Sequence, residues 1–187
     1  MDFLTLNQEA AAETEEKKSR FLAYVVPITS FEARLESLRA AHPKANHHVT
    51  ASRRIHANNQ IAESAKDDGE PSGTSGMPVL KLLIGRNMID VGAIVVRYFG
   101  GTKLGTGGLA RAYPGAVKAA LDAAELLPWS RIVRVTLKVS FARASDLEVL
   151  ITKQPLTVTD RRFTEEGALI DVEGPEQAVA SLSDFRA

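Results

Sequence analysis

Between Gly100 and Gly108 five of nine residues are glycine, and the run lies between the apolar segment Ile89 to Val96 and an alanine-rich segment reaching about Leu126. Glycine at this density costs backbone entropy on folding, so a plain connector is rarely written this way. The run is expected to be a strand-to-helix junction whose backbone something approaches closely. Amides of Gly105, Thr106, Gly107 and Gly108 at a helix start, with Arg97, Lys103 and Arg111 near in sequence, suit a phosphate or other anion. Tyr98, Gly100 and Gly101 complete the candidate set on this segment. The competing reading is that the glycines only permit tight turns and close helix-to-strand packing.

Several chemistries are excluded by pattern. Gly105 to Ala110 fits G-x-G-x-x-A, but the acid expected on a following parallel strand is missing, because the helix runs into Pro128 and a new domain. No G-x-x-x-x-G-K-[ST] occurs, and Gly73-Thr74-Ser75-Gly76 lacks the spacing of a nucleophile elbow. The absence of cysteine excludes disulfides, thiolate metal sites and cysteine nucleophiles. His42, His47, His48 and His56 lie close together without an H-E-x-x-H arrangement, so no metal site and no cofactor are assigned.

A second constellation runs from Asp67 to Gly76. Asp68 and Glu70 are candidates for holding a cation or for acid and base roles. Against this, Asp, Ser and Thr side chains in such a loop bond to nearby amides and hold it, and the local reading is preferred. His47, Asp68, Glu70, Ser72, Gly73 and Thr74 are taken as the loop's contribution to a binding cleft shared with Arg97 to Arg111. Lys17, Lys18, Arg20, Lys44, Arg53 and Arg54 form a basic set that extends a phosphate-binding face or is simply solvated surface.

The rest of the chain reads as α+β. A strand is expected over Ser19 to Val26, then a helix opened by Thr29 or Ser30 with Phe31, Leu35, Leu38 and Ala41 on one face. Weaker strands follow at His47 to Arg54 and Gln60 to Ser64, and a short helix near Pro78 to Ile84. Pro114 and Gly115 are expected to kink or restart the long helix. Pro128 marks a boundary between residues 1–128 and 129–187. Beyond it come a strand at Val133 to Phe141, a helix opened by Ser145 or Asp146, a hairpin of Leu156 to Arg162 with Ala168 to Val172, and a helix from Glu176. That succession is a ferredoxin-like unit lacking its last strand.

Four blocks in order, Lys18 to Phe21, His42 to His47, Asp67 to Thr74 and Arg97 to Tyr113, resemble the IMPACT/YigZ family. The resemblance covers about Lys17 to Leu126, and the remainder looks like the ferredoxin-like C-terminal domain of bacterial members. It implies an α/β sandwich of the ribosomal-protein type, also seen in elongation factor G domain IV, followed by that second domain. Asn46 and Ser75 depart from the family's usual small residues, and Ala187 arrives where relatives add a closing strand, leaving an edge able to pair with another chain. Eukaryotic relatives regulate translation through partners that bacteria lack; for bacterial ones the resemblance implies a link to nucleic acid or the ribosome.

The expectation is therefore a translation-associated regulatory protein, rather than a demonstrated enzyme, that binds RNA, the ribosome or a translation-related protein. A phosphotransferase or hydrolase acting on a phosphate ligand, and a protein-interaction module, are the alternatives. The formal net charge is zero, so attraction to nucleic acid must come from a local patch. No apolar run approaches the roughly 18 residues of a membrane span, and the start of the chain lacks a secretory pattern, so a cytoplasmic protein is expected.

Overall fold

The computed structural model describes residues 3–185 and divides into two compact units, 1–129 and 130–187. The first unit contains β1 (Leu4–Thr5), β2 (Ala10–Glu16), β3 (Ser19–Pro27), α1 (Phe31–Ala41), β4 (His47–Ile55), β5 (Ile61–Lys66), α2 (Gly76–Gly85), β6 (Val91–Tyr98), α3 (Gly105–Asp122) and β7 (Leu127–Pro128). Five of these strands form an antiparallel sheet in the order β2-β3-β6-β4-β5, while β1 pairs with β7.

Alternation along the central strands supplies two apolar faces. Phe21, Ala23 and Val25 of β3 and Val91, Ala93 and Val95 of β6 face α2 and α3, meeting Leu83, Leu109, Tyr113 and Val117. Val26, Ile94 and Val96 turn the other way, onto Phe31, Leu35 and Leu38 of α1. The sheet is thus covered on both faces, and β6 is buried along nearly its whole length. Gly92 allows this on the α1 side, since a Cβ there would fall inside the Phe31 ring.

Several expected elements shift. β2 was not anticipated, because Ala-Ala-Ala-Glu-Thr-Glu-Glu has little strand propensity; pairing with β3 from Ala10↔Val25 to Glu16↔Ser19 makes it a strand. The long helix does not restart at Pro114: it runs as one element from Gly105, with Leu109, Tyr113, Ala116, Val117 and Leu121 buried on both sides of the proline, and ends at Asp122 rather than near Leu126. Ser30 occupies the N-cap of α1 but its hydroxyl donates back to the Pro27 carbonyl at 3.0 Å instead of capping.

The second unit contains β8 (Ile132–Ser140), α4 (Ala144–Thr152), β9 (Thr157–Phe163), β10 (Gly167–Pro175) and α5 (Glu176–Ala180). Its sheet has the order β8-β10-β9, both pairings antiparallel, with Leu137, Ile170 and Val172 packed on Leu147, Ile151 and Phe185. Neither Ser145 nor Asp146 opens α4, because a 3₁₀ turn over Phe141–Arg143 leads directly into Ala144.

Substitution Gly92→Ala forces the new methyl group into Phe31, and overpacking of this kind costs about 1–3 kcal/mol. Urea unfolding should show a lower midpoint with an unchanged slope.

Candidate functional site

The loop between β5 and α2 is organised by its first carboxylate. Asp67 Oδ2 accepts from the Gly73 amide at 2.7 Å, and Oδ1 accepts from the amides of Ser75 at 3.1 Å and Gly76 at 2.8 Å. It caps α2 from nine residues away, where a negative charge also suits the helix dipole. Burial works to raise the Asp67 carboxyl, but the three amides prevail and hold it below its ordinary value. Asp68 accepts the His48 backbone N–H at 2.6 Å, and Thr74 donates to the Pro71 carbonyl at 2.6 Å. Of the two carboxylates that suggested metal or acid–base chemistry here, Asp68 is thus bonded to the backbone of β4.

Glu70 reaches inward. It is 9% exposed, and Oε1 accepts from Arg97 Nη1 at 2.5 Å and from the Tyr113 hydroxyl at 2.7 Å. Arg97 is 5% exposed, and its Nη2 also donates to Ser19 Oγ at 3.3 Å. Burial, reinforced by the bond to Glu70, pushes the Tyr113 hydroxyl far above its ordinary value, which keeps it a donor. His47 pairs with Arg97 across the sheet; its Nδ1 lies 2.8 Å from the Asp68 carbonyl oxygen and its Nε2 lies 3.6 Å from Glu70. Glu70, Arg97, Tyr113 and Ser19 form a polar knot inside an otherwise apolar core.

Above this knot the chain leaves β6 and enters α3. Phe99 is 46% exposed, its amide donates to Asn46 Oδ1 at 2.8 Å, and Arg97 lies 5.7 Å from its ring centroid. Gly100 passes so close to β3 that a Cβ would overlap the Lys18 carbonyl, and its amide donates to Ser19 Oγ at 3.1 Å. Gly105 begins α3 at φ +74°, a conformation that favours glycine, and no side chain caps the helix there. Gly105, Thr106 and Gly107 are exposed at its first turn.

A cleft of about 330 Å³ opens at this point, lined on one side by Glu70, Pro71 and Arg97 and on the other by Phe99, Lys103, Gly105 and Thr106, with Leu104 and Leu109 as its apolar floor. Lys103 makes no ion pair among the described residues. The expected convergence of three cations is not what the fold builds. Arg97 is already neutralised by Glu70, and Arg111 lines a separate concavity of about 430 Å³ with Gly108, Lys17, Glu15 and Glu16.

Other candidates also fall outside the cleft. Tyr98 alternates to the α1 side of the sheet, where its hydroxyl meets His42 Nδ1 at 2.8 Å. Gly73, Thr74 and Asp68 belong to the loop's own scaffold and Ser72 is exposed outside the cleft, while Gly101 and Gly107 flank the cleft in sequence without lining it. In the basic set, Arg53 is buried against Glu63 and the Met88 carbonyl, and Arg20 is paired with Glu13. The four histidines gather no metal-ligating group among the described residues. Phe99 was missed by sequence reasoning, although an aromatic directly before a glycine run was the available signal.

The family model described as the Impact N-terminal domain matches residues 17–121, more than half of the chain. The chain belongs to the IMPACT family. Among IMPACT family members it is 39% identical over 140 residues to YigZ of Escherichia coli (strain K12), covering 73% of this chain and 69% of that one. It is also 39% identical over 127 residues to a member from Haemophilus influenzae, of whose length the match spans only 62%, against 66% of this chain. A crystal structure of a hypothetical protein shares the fold at TM-score 0.67 and 32% identity, covering 98% of this chain and 91% of that one. The cleft and its knot lie within the matched IMPACT segment. No helix among the described residues is long and apolar enough to cross a membrane.

Two consequences are measurable. Glu70→Ala strands a buried guanidinium, a loss of about 3–5 kcal/mol that should appear as a large fall in the denaturation midpoint. Asp67→Asn should cost about 1–3 kcal/mol at neutral pH. Because the folded Asp67 carboxyl lies below its unfolded value, its contribution is full above about pH 4 and disappears as pH falls through the folded value. Urea titrations of wild type and variant should therefore converge below that pH and run parallel above it.

Proposed function

We propose that this protein is a translation-associated regulator of the cytoplasm that binds single-stranded RNA, free or within the ribosome, at the cleft where α3 begins. The observation that carries the reading is the conjunction in one cleft of an exposed aromatic ring, an unpaired ammonium group and an uncapped helix start. Phe99 offers a π-face for a base, while Lys103 and the first amides of α3 offer contacts to the adjoining phosphate. An aromatic beside a cation suits a base with its phosphate better than it suits an isolated anion. The IMPACT family resemblance supports the translational setting. The β8-β10-β9 order with α4 and α5 supports reading the second unit as ferredoxin-like, and the doubly covered sheet supports reading the first as the ribosomal-protein type.

The phosphotransferase or hydrolase alternative is less well supported, because Glu70, its best-placed carboxylate, is committed to Arg97 and Tyr113. Binding of a labelled single-stranded RNA should weaken steeply as salt rises. Lys103→Ala should make the slope of log affinity against log salt shallower by about 0.7, and Phe99→Ala should weaken binding by about 1–3 kcal/mol with little change in slope. Binding that ignores salt and both substitutions would end this reading.

A further inference from the structure

The hairpin between β2 and β3 turns through Lys17 and Lys18 alone, since Glu16 pairs with Ser19. Both lysines have positive φ, 47° and 65°. Positive φ at both central residues is what a tight two-residue hairpin of the favoured hand requires, and Asn, Asp and Gly are the residues suited to it. Elsewhere this chain follows the preference: the other non-glycine residues of positive φ among those described are Asn59, Asp68, Asn87 and Asp90. A long side chain meets steric resistance in this conformation that glycine does not. Turn geometry therefore does not account for lysine at two consecutive positions.

Location supplies the missing reason. The carbonyl of Lys18 lies directly against Gly100, at a spacing that no Cβ on residue 100 would permit. Gly100 in turn adjoins Phe99, on the wall of the cleft that also holds Lys103. Lys17 and Lys18 are both exposed and neither makes an ion pair among the described residues. Lys17 also lines the neighbouring concavity with Arg111, where Glu15 and Glu16 balance the two cations. The hairpin tip is thereby held at backbone distance from the residue that follows the cleft's aromatic ring.

We infer that the Lys17–Lys18 tip is a second point of phosphate contact for the strand held in the cleft, anchored beside it by the close approach of Lys18 to Gly100. This rests on the RNA reading above. It assigns the strained turn a role: the hairpin gives up the residues best suited to its geometry in order to hold two ammonium groups beside the cleft.

The test uses the full chain and a fluorescently labelled single-stranded RNA of about 12 nucleotides, within the site size of comparable surfaces. Lys17→Asn/Lys18→Gly relieves the turn and removes both charges. Its expected signature is a higher melting temperature together with several-fold weaker binding and a salt slope shallower by about 1.4, the sum of two lost single-strand contacts. Lys17→Gln/Lys18→Gln removes the charges without relieving the turn, and should weaken binding equally with no gain in melting temperature. If both double variants bind as wild type does while Lys103→Ala and Phe99→Ala weaken binding, the cleft stands and the hairpin has no part in it. If only the Asn/Gly variant binds weakly, backbone shape and not charge is responsible, and the inference fails. If wild type does not bind the RNA at all, the cleft reading and the hairpin inference fall together.

Discussion

The Arg97–Glu70 pair is the contact on which the geometry of the first unit's upper edge depends. It joins the end of the central strand to the loop before α2, and through the Tyr113 hydroxyl and Ser19 it reaches α3 and β3 as well. Taking both charges out of water costs free energy that their attraction only partly offsets, so the pair is not a strong source of net stability. Its effect is positional. Four segments distant in sequence must meet within hydrogen-bonding distance of one another, because any of them moving away leaves a buried charge or hydroxyl without a partner. The guanidinium also lies between Phe21 in the core, at 5.5 Å, and Phe99 at the surface, at 5.7 Å. The exposed ring of the cleft is thus supported from beneath by the same group that fixes the core below it.

That arrangement explains what the glycine run is for. Gly100 follows the supported aromatic and has to pass β3 at backbone distance, and Gly105 has to enter α3 with positive φ immediately after Leu104 is buried. The two readings of the run, close packing and an open anion site, are therefore not exclusive. Close packing governs Gly100, whereas the exposed first turn of α3 keeps its amides available.

Much of the fold was legible because it rests on periodicity. The 3.6-residue spacing of Phe31, Leu35 and Leu38 and the alternation in β8 both follow from one-sided burial, and each is visible in a short window. What escaped detection depends on partners far away in sequence. β2 is a strand because β3 offers it a hydrogen-bonding edge, and Ala10 and Ala12 suit that position since small side chains let α3 approach. Asp67 caps a helix that begins nine residues later, beyond the reach of any local capping pattern. Arg97 is read from sequence as a free cation, and the fold pairs it with Glu70, because its proximity to Lys103 in sequence says nothing of a carboxylate arriving from the loop before α2. The family blocks contain the residues that line the cleft, but they do not say which of its charges remain free.

The zero net charge acquires a different meaning once pairs are assigned. Arg20 with Glu13, Arg34 with Glu9, Arg53 with Glu63 and Arg86 with Asp122 cancel locally across the first unit. Such pairs contribute little field beyond about a Debye length, roughly 8–10 Å at ordinary ionic strength. The potential that an approaching polyanion experiences is set by the charges left over, and at the start of α3 these include Lys103 and the helix dipole. A sum over the whole chain counts cancelled and uncancelled cations alike. The distinction that matters for recognition is made by the fold, which buries Arg97 against a carboxylate and leaves Lys103 in water a few residues later.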